Sequence, residues 1–293
     1  MKINQYQQKN LGLVLPLLLL SLITTEVVAQ EAIAVIRIKE GLPAEPLAAE
    51  WQQAPVQEVT MMAQQVTMPR LAQASVDKIT VQALTDGKSI SWRLSWLDEA
   101  PDFNVDVGRF SDAVALELPL TQGASPMMGH RGGGKVQILY WKGLWQKDIN
   151  QGFQDVQDVH PNYWSDLYWF AEGKPPYRVP DSFQNAMAKQ WFVAQQAGNP
   201  MAVFSRKQPA QELIAEGWGT LTHQPESATN AQGIWAEGRW AVVFSRPLAT
   251  DDPNDYQFID DKGEIAFAVW QGGDNNVGGR KHWSNWTPYQ IQP

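Results

Sequence analysis

The stretch ITVQALTDGKSISWRLSW, Ile79 to Trp96, constrains the fold more than any other. Ile79, Val81 and Ala83 alternate with polar neighbours, Asp86-Gly87 supplies a two-residue turn, and Ile90, Trp92, Leu94 and Trp96 return with the same period of two. Successive strand side chains point to opposite faces, so this spacing fits a half-buried hairpin and does not fit a helix. Asp98 to Asp102 closes the unit as a polar turn. The alternation recurs at Glu31–Gly41, at Val114, Leu116, Leu118 and Leu120, and at Val136, Ile138 and Tyr140. It recurs again in a hairpin around Glu237-Gly238 with Trp240, Val242 and Phe244 on one face, and in EIAFAVWQGG. Strands at this spacing, punctuated by Gly, Asp and Pro turns, predict an all-β chain folded as an antiparallel β-sandwich. One or two short helical insertions interrupt it. Phe183, Met187 and Trp191 recur every four positions over residues 181–197, with Asp181 or Ser182 to cap the start and Gly198 and Pro200 to end it. A shorter helix is expected over Pro209–Glu216.

The first residues read as an export signal. Lys2 and Lys9 precede an apolar run from Leu11 to Ile23, and small residues end at Ala29. Cleavage after Ala29 is expected, leaving residues 30–293 as one domain outside the cytoplasm, in a bacterial periplasm. The run is too short to span a bilayer comfortably and no later stretch approaches ~20 apolar residues, so no membrane span is expected. Without residues 1–29 the chain carries 21 basic and 30 acidic residues, a net charge of −9. Nucleic acid is a poor partner for such a chain, because phosphate binding needs clustered Lys and Arg.

The chain has no cysteine. That excludes disulfides, iron–sulfur clusters, thiolate zinc sites and covalent attachment of a c-type haem within this chain. A metal would have to be held by Met, His, Lys, Tyr or carboxylates. The four histidines form no i,i+4 pair, and no nucleophile elbow, zinc-protease helix or Walker loop is present. GHRGGGK lacks the spacing of a phosphate loop, and Asp251-Asp252 and Asp260-Asp261 sit among turn residues. No catalytic residue is assigned.

The informative loop is SPMMGHRGGGKVQILYW, Ser125 to Trp141, where Met127 and Met128 stand between a proline and a glycine just before a strand. Methionine there is either a filler of irregular packing gaps or a soft metal ligand. His130 lies two residues after Met128, and His282 directly follows Lys281 at the end of a second glycine-rich turn.

Four segments, in order, resemble one family: Ile79–Asp102, Gly108–Leu120, Ser125–Gln146 and Ala266–Pro288. They are similar to the haem-b-binding gamma subunits of ethylbenzene dehydrogenase and dimethylsulfide dehydrogenase. The resemblance implies a DOMON-like sandwich that holds one noncovalent haem b between a methionine and a lysine. The family's Met-Gly falls on Met128-Gly129, and its Gly-x-x-Lys before Ser-x-Trp falls on Gly278–Lys281 with Ser284 and Trp286. The resemblance therefore implies Met128 and Lys281 as axial ligands. Met127, His130 and His282 are the neighbours that could take a ligand's place. It further implies a non-catalytic electron-transfer subunit that works with a molybdenum catalytic subunit, an iron–sulfur subunit and a soluble periplasmic carrier such as a c-type cytochrome. The competing reading is a haem-free carbohydrate- or ligand-binding sandwich, in which tryptophans stack on sugar and the Met-Met loop is packing.

Overall fold

A computed structural model describes residues 31–39, 41–154, 156–162, 190–199 and 202–293. The export signal, most of the aromatic run from Asn162 to Phe170 and residues 181–189 of the expected helix lie outside them. The hairpin comes first in importance: β4 (Lys78–Thr85) and β5 (Ser89–Leu97) pair antiparallel, with Asp86 Oδ1 accepting from the backbone N–H groups of Lys88 and Ser89 at 2.8 and 2.7 Å. β4 has two partners along its other edge, β1 (Ile33–Arg37) at Ala83–Thr85 and β2 (Gln57–Thr60) at Lys78–Val81. The second predicted hairpin, β10 (Asn230–Ala236) and β11 (Arg239–Pro247), joins β5 through β11. Its turn residues Glu237 and Gly238 both have positive φ, 51° and 73°, as a two-residue hairpin whose twist matches its strands requires.

The second sheet is built on β6 (Ala113–Pro119), β7 (Val136–Lys142) and β8 (Ala210–Ala215), with β9 (Thr222–His223) at its edge. Strand β12 (Lys262–Trp270) joins the two sheets. Its residues Lys262–Ile265 pair with β14 (Thr287–Ile291) in the first sheet, and Ala266–Trp270 pair with β6 in the second. Two short strands extend the second sheet sideways from β12: β13 (His282–Trp283) pairs with its residues Ala268 and Val269, and β3 (Met62–Ala63) pairs with β13. Nearly all pairings are antiparallel. The exception is β1, which runs parallel to both β4 and β14.

The sheets pack face to face through large aromatics. Trp141 of β7 meets Trp240 of β11 edge-on at 5.0 Å, Trp96 of β5 stacks on Trp240 at 6.1 Å, and all three are buried. The inward residues of β6 are Val114, Leu116 and Leu118, as the alternation predicts, and burial of such side chains is the main stabilising term of a sandwich.

One expectation needs correction. Pro209–Glu216 is not helical: Ala210–Ala215 is strand β8, fully paired with β7. The helix-forming composition of AQELIA is overridden because both faces of the segment are covered and its backbone completes a sheet. The polar turn after β5 stands where expected, with Asp98 buried against Trp240 and Asp112. Among the described residues two α-helices are unforeseen: α1 (Gly143–Gln151), which follows β7 directly, and the short α2 (Val156–Val159). Of the expected 181–197 helix, the described end is helical at residues 190–191 and over the turn Val193–Gln196. Among the described residues no helix is long and apolar enough to cross a membrane.

Candidate cofactor site

The alternation that builds the sandwich core leaves a second set of side chains on the outer face of the second sheet. On β6 these are Ala113, Ala115 and Glu117; on β7, Val136, Ile138 and Tyr140; on β8, Leu213 and Ala215; on β12, Ala268 and Trp270. A solvated outer face would carry polar residues here. Instead it is apolar and lined with alanines, and the small side chains leave room for a cavity of about 360 Å³, within the size range of small-molecule and cofactor sites.

Two loops reach this cavity from distant parts of the chain. The first, between β6 and β7, carries Met127 and Met128, both of which line it. Met128 also packs onto the apolar floor formed by the alanines, Val136 and Ile138. Its backbone is left-handed, φ 66°, followed by Gly129 at φ 70°. Gly129 has no room for a side chain: an added Cβ would lie 2.0 Å from the carbonyl oxygen of Gly134. The Met128 N–H donates to Glu117 Oε1 at 3.2 Å, and its carbonyl accepts from Gly217 N–H at 2.8 Å.

The second loop is the glycine-rich turn after β12, and its Lys281 lines the same cavity. Lys281 Nζ lies 5.0 Å from the centre of the Trp270 ring. The turn is pinned from two sides. Trp270 Nε1–H donates to Gly278 O at 2.9 Å, and the buried Gln64 donates from Nε2 to Gly279 O at 2.7 Å and from its backbone N–H to Lys281 O at 3.0 Å. Ser284 and Gly-turn neighbours have structural roles as well: Ser284 Oγ accepts from Phe267 N–H at 2.9 Å, and Trp286 Nε1–H donates to Ala124 O at 2.8 Å, tying the lysine turn to the head of the methionine loop.

Burial dominates the electrostatics. It lowers the proton affinity of Lys281, opposed by the attraction of Glu117. It raises that of Glu117 to about 8, opposed by Lys281 and by the Met128 and Gly129 N–H groups. Both groups are thus driven toward their neutral forms.

The two histidines stand elsewhere. His130 is exposed, and its backbone pairs with Gly134 to close the glycine loop, with the ring lying over Gly134. His282 is fully buried on the other side of its strand. Its Nδ1–H donates to Val269 O at 3.1 Å and its Nε2 accepts from the N–H groups of Ser75 and Val76 at 3.1 and 3.2 Å. Both ring nitrogens are engaged by the backbone, and neither histidine lines the cavity. Among the described residues, no three His, Cys, Asp or Glu side chains gather as metal donors.

Glu117, Gln64, Trp218, Trp270 and Tyr140 line the cavity without having been singled out in the sequence. A signal for Glu117 was present. It is the one charge in the strand AVALELP, on the face that otherwise carries Ala113, Ala115 and Pro119.

The Haloferax mediterranei protein named "Putative respiratory nitrate reductase heme subunit ORF7" is 25% identical over 258 residues, covering 87% of this chain and 71% of that one. The chlorate reductase subunit gamma of Ideonella dechloratans is 24% identical, covering 86% and 81%. The dimethylsulfide dehydrogenase subunit gamma of Rhodovulum sulfidophilum is 24% identical, covering 90% and 83%. Among solved structures, a family 9 carbohydrate-binding module from Caldicellulosiruptor kristjanssonii in complex with glucose aligns at a TM-score of 0.38 with 8% identity, over 89% of this chain and 96% of that one. The family model described as ethylbenzene dehydrogenase matches residues 48–282, and the chain belongs to that family.

Proposed function

We propose that this chain is a noncatalytic electron-transfer subunit that holds one noncovalent haem b, with the Met128 thioether and the Lys281 amine as its axial ligands. The observation that carries the reading is that these two side chains, far apart in sequence, line one apolar cavity. The donor set fits the group. A thioether is a soft ligand suited to iron in its reduced state, and a lysine binds metal only as the free amine. Burial favours that free amine here. Tyr140, Ile138, Leu213 and Trp270 supply apolar walls that exclude water, and Glu117 and Gly217 hold the Met128 backbone from both sides. A haem with both axial positions filled supplies reversible one-electron transfer and has no open position for oxygen chemistry.

Met128 is preferred to Met127 because it alone of the pair packs on the cavity floor. His282 is committed to the backbone and His130 faces solvent, so the ligand set is Met/Lys. The family and the gamma-subunit names of its relatives support a place in a complex whose molybdenum and iron–sulfur subunits carry the substrate chemistry, with electrons relayed to or from a soluble carrier. The basic, apolar and small-residue order of residues 1–29 supports export to the periplasm, and mass spectrometry of the mature protein should find Gln30 first.

The test is the pigment. Protein produced with ample haem should contain one haem per chain by pyridine haemochrome assay, and acidic butanone should extract all of it. A colourless protein would overturn the proposal and favour the sugar- or ligand-binding alternative.

A further inference from the structure

One contact at the cavity rim is not explained by a ligand pair alone. The turn after β8 donates from two successive residues to two successive carbonyls of the methionine loop: Gly217 N–H to Met128 O at 2.8 Å, and Trp218 Nε1–H to Met127 O at 3.1 Å. The turn is itself locked. Thr220 Oγ1 accepts from Glu216 N–H and donates to Gly217 O, each at 2.7 Å. Gly217 is buried at φ +94°, and an added Cβ would come within 3.2 Å of the Arg131 backbone nitrogen, so turn and loop touch without slack. Meanwhile Met128 has the left-handed backbone that side-chain-bearing residues adopt only where their surroundings over-determine it. Glu117 and Trp218 determine it from the amino side, through the N–H of Met128 and the carbonyl of the same peptide, and Gly217 from the carbonyl side.

Trp218 does something further. It is 43% exposed, yet it lines the cavity, together with Gly219 and the half-exposed Leu221 beside it. A tryptophan this exposed ordinarily gives its N–H to water. This one gives it to the loop that carries the methionines.

We propose that Trp218 is a positioning residue for Met128 and that its ring closes the mouth of the cavity. The inference rests on the haem reading above. The indole N–H fixes the peptide that precedes Met128 and so holds the thioether at its angle, while the ring limits escape from the cavity.

Trp218→Phe and Trp218→Leu in the full, haem-loaded chain separate the two roles. Phe keeps a ring and loses the N–H; Leu loses both. Imidazole titration reads how firmly the methionine holds its position, haem transfer to excess apomyoglobin reads escape, and amide exchange over residues 125–134 in the haem-free protein reads the loop itself. With Trp218→Phe, imidazole should bind about fivefold more tightly, the worth of one neutral hydrogen bond. The 125–134 amides should exchange faster, and haem loss should stay within about twofold of wild type. With Trp218→Leu, haem loss should accelerate by roughly tenfold or more, on the scale of removing a large apolar contact. Wild-type imidazole affinity and wild-type loop exchange in Trp218→Phe would overturn the positioning role, and wild-type haem retention in Trp218→Leu would overturn the closure. If Met128→Ala leaves the haem spectrum unchanged, the ligand assignment has failed instead, and loop exchange in the haem-free protein still decides whether Trp218 holds the loop.

Discussion

Asp98 and Asp112 offer a test of the sandwich interior that does not involve the cavity. Both are buried, and a single donor, Trp240 Nε1–H, lies 3.0 Å from an oxygen of each. Asp112 also accepts from Gly272 N–H at 2.7 Å and from Asp102 N–H at 2.6 Å, so its two oxygens face three donors. Burial, reinforced by the neighbouring Asp98 charge, pushes the ionisation of Asp112 from 3.8 up to about 8, and burial raises that of Asp98 as well. Two carboxyls this close share one proton, and the titration belongs to the pair. Below about pH 4 folded and unfolded chains are both protonated here. Between there and about pH 8 the unfolded chain has released a proton that the folded chain keeps, so this pair makes stability fall as pH rises. At about 1.4 kcal/mol per pH unit the ceiling is roughly 6 kcal/mol over the whole window, and about 4 kcal/mol from pH 5 upward. With local relaxation we expect a loss of roughly 2–4 kcal/mol between pH 5 and pH 9. Asp98→Asn replaces the shared proton with a permanent N–H donor aimed at Asp112, and should abolish that part of the fall. Asp112→Asn should instead cost about 2–4 kcal/mol at every pH, because its amide would meet N–H donors at both positions. Urea unfolding of wild type and both variants at pH 5, 7 and 9 measures this. Parallel losses in wild type and Asp98→Asn would refute a shared proton.

Two further outcomes follow from packing. Gly129→Ala should lower stability by about 3 kcal/mol or more and impair haem uptake, because the left-handed backbone and a Cβ 2.0 Å from Gly134 O cannot coexist without moving the methionine loop; thermal unfolding and haem titration read both effects. Arg246, buried between Asp255 at 3.1 Å and Gln137 at 2.6 Å, should cost roughly 3–5 kcal/mol when replaced by Ala, since the buried Asp255 and Glu212 would lose their cationic partner. Its haem spectrum, if folded, should match wild type, because the network lies away from the cavity.

The strands were legible because a two-sided sheet writes its period into the chain. The Asp-Gly hairpin, the Glu237-Gly238 hairpin and the inward Val114, Leu116 and Leu118 all lie where the alternation puts them. Segment 210–215 was illegible, because a strand covered on both faces loses its alternation and its helix-forming residues then mislead. The parallel pairing of β1 was hidden too, since periodicity carries no direction. The site was half visible. Met128 and Lys281 stood out by chemistry and resemblance, but the cavity between them rests on the absence of bulk at Ala115 and Ala268, and small residues draw no attention in a sequence. Gln64 and Trp218 act through hydrogen bonds to backbone far away in the chain, which no local pattern encodes.

The visible and electron paramagnetic resonance spectra of haem-loaded wild type, Met128→Ala, Lys281→Ala and Met127→Leu bear most directly on the site. Wild type and Met127→Leu should be low-spin, while Met128→Ala and Lys281→Ala should turn high-spin or lose haem. Low-spin haem surviving both of the latter substitutions would contradict the account.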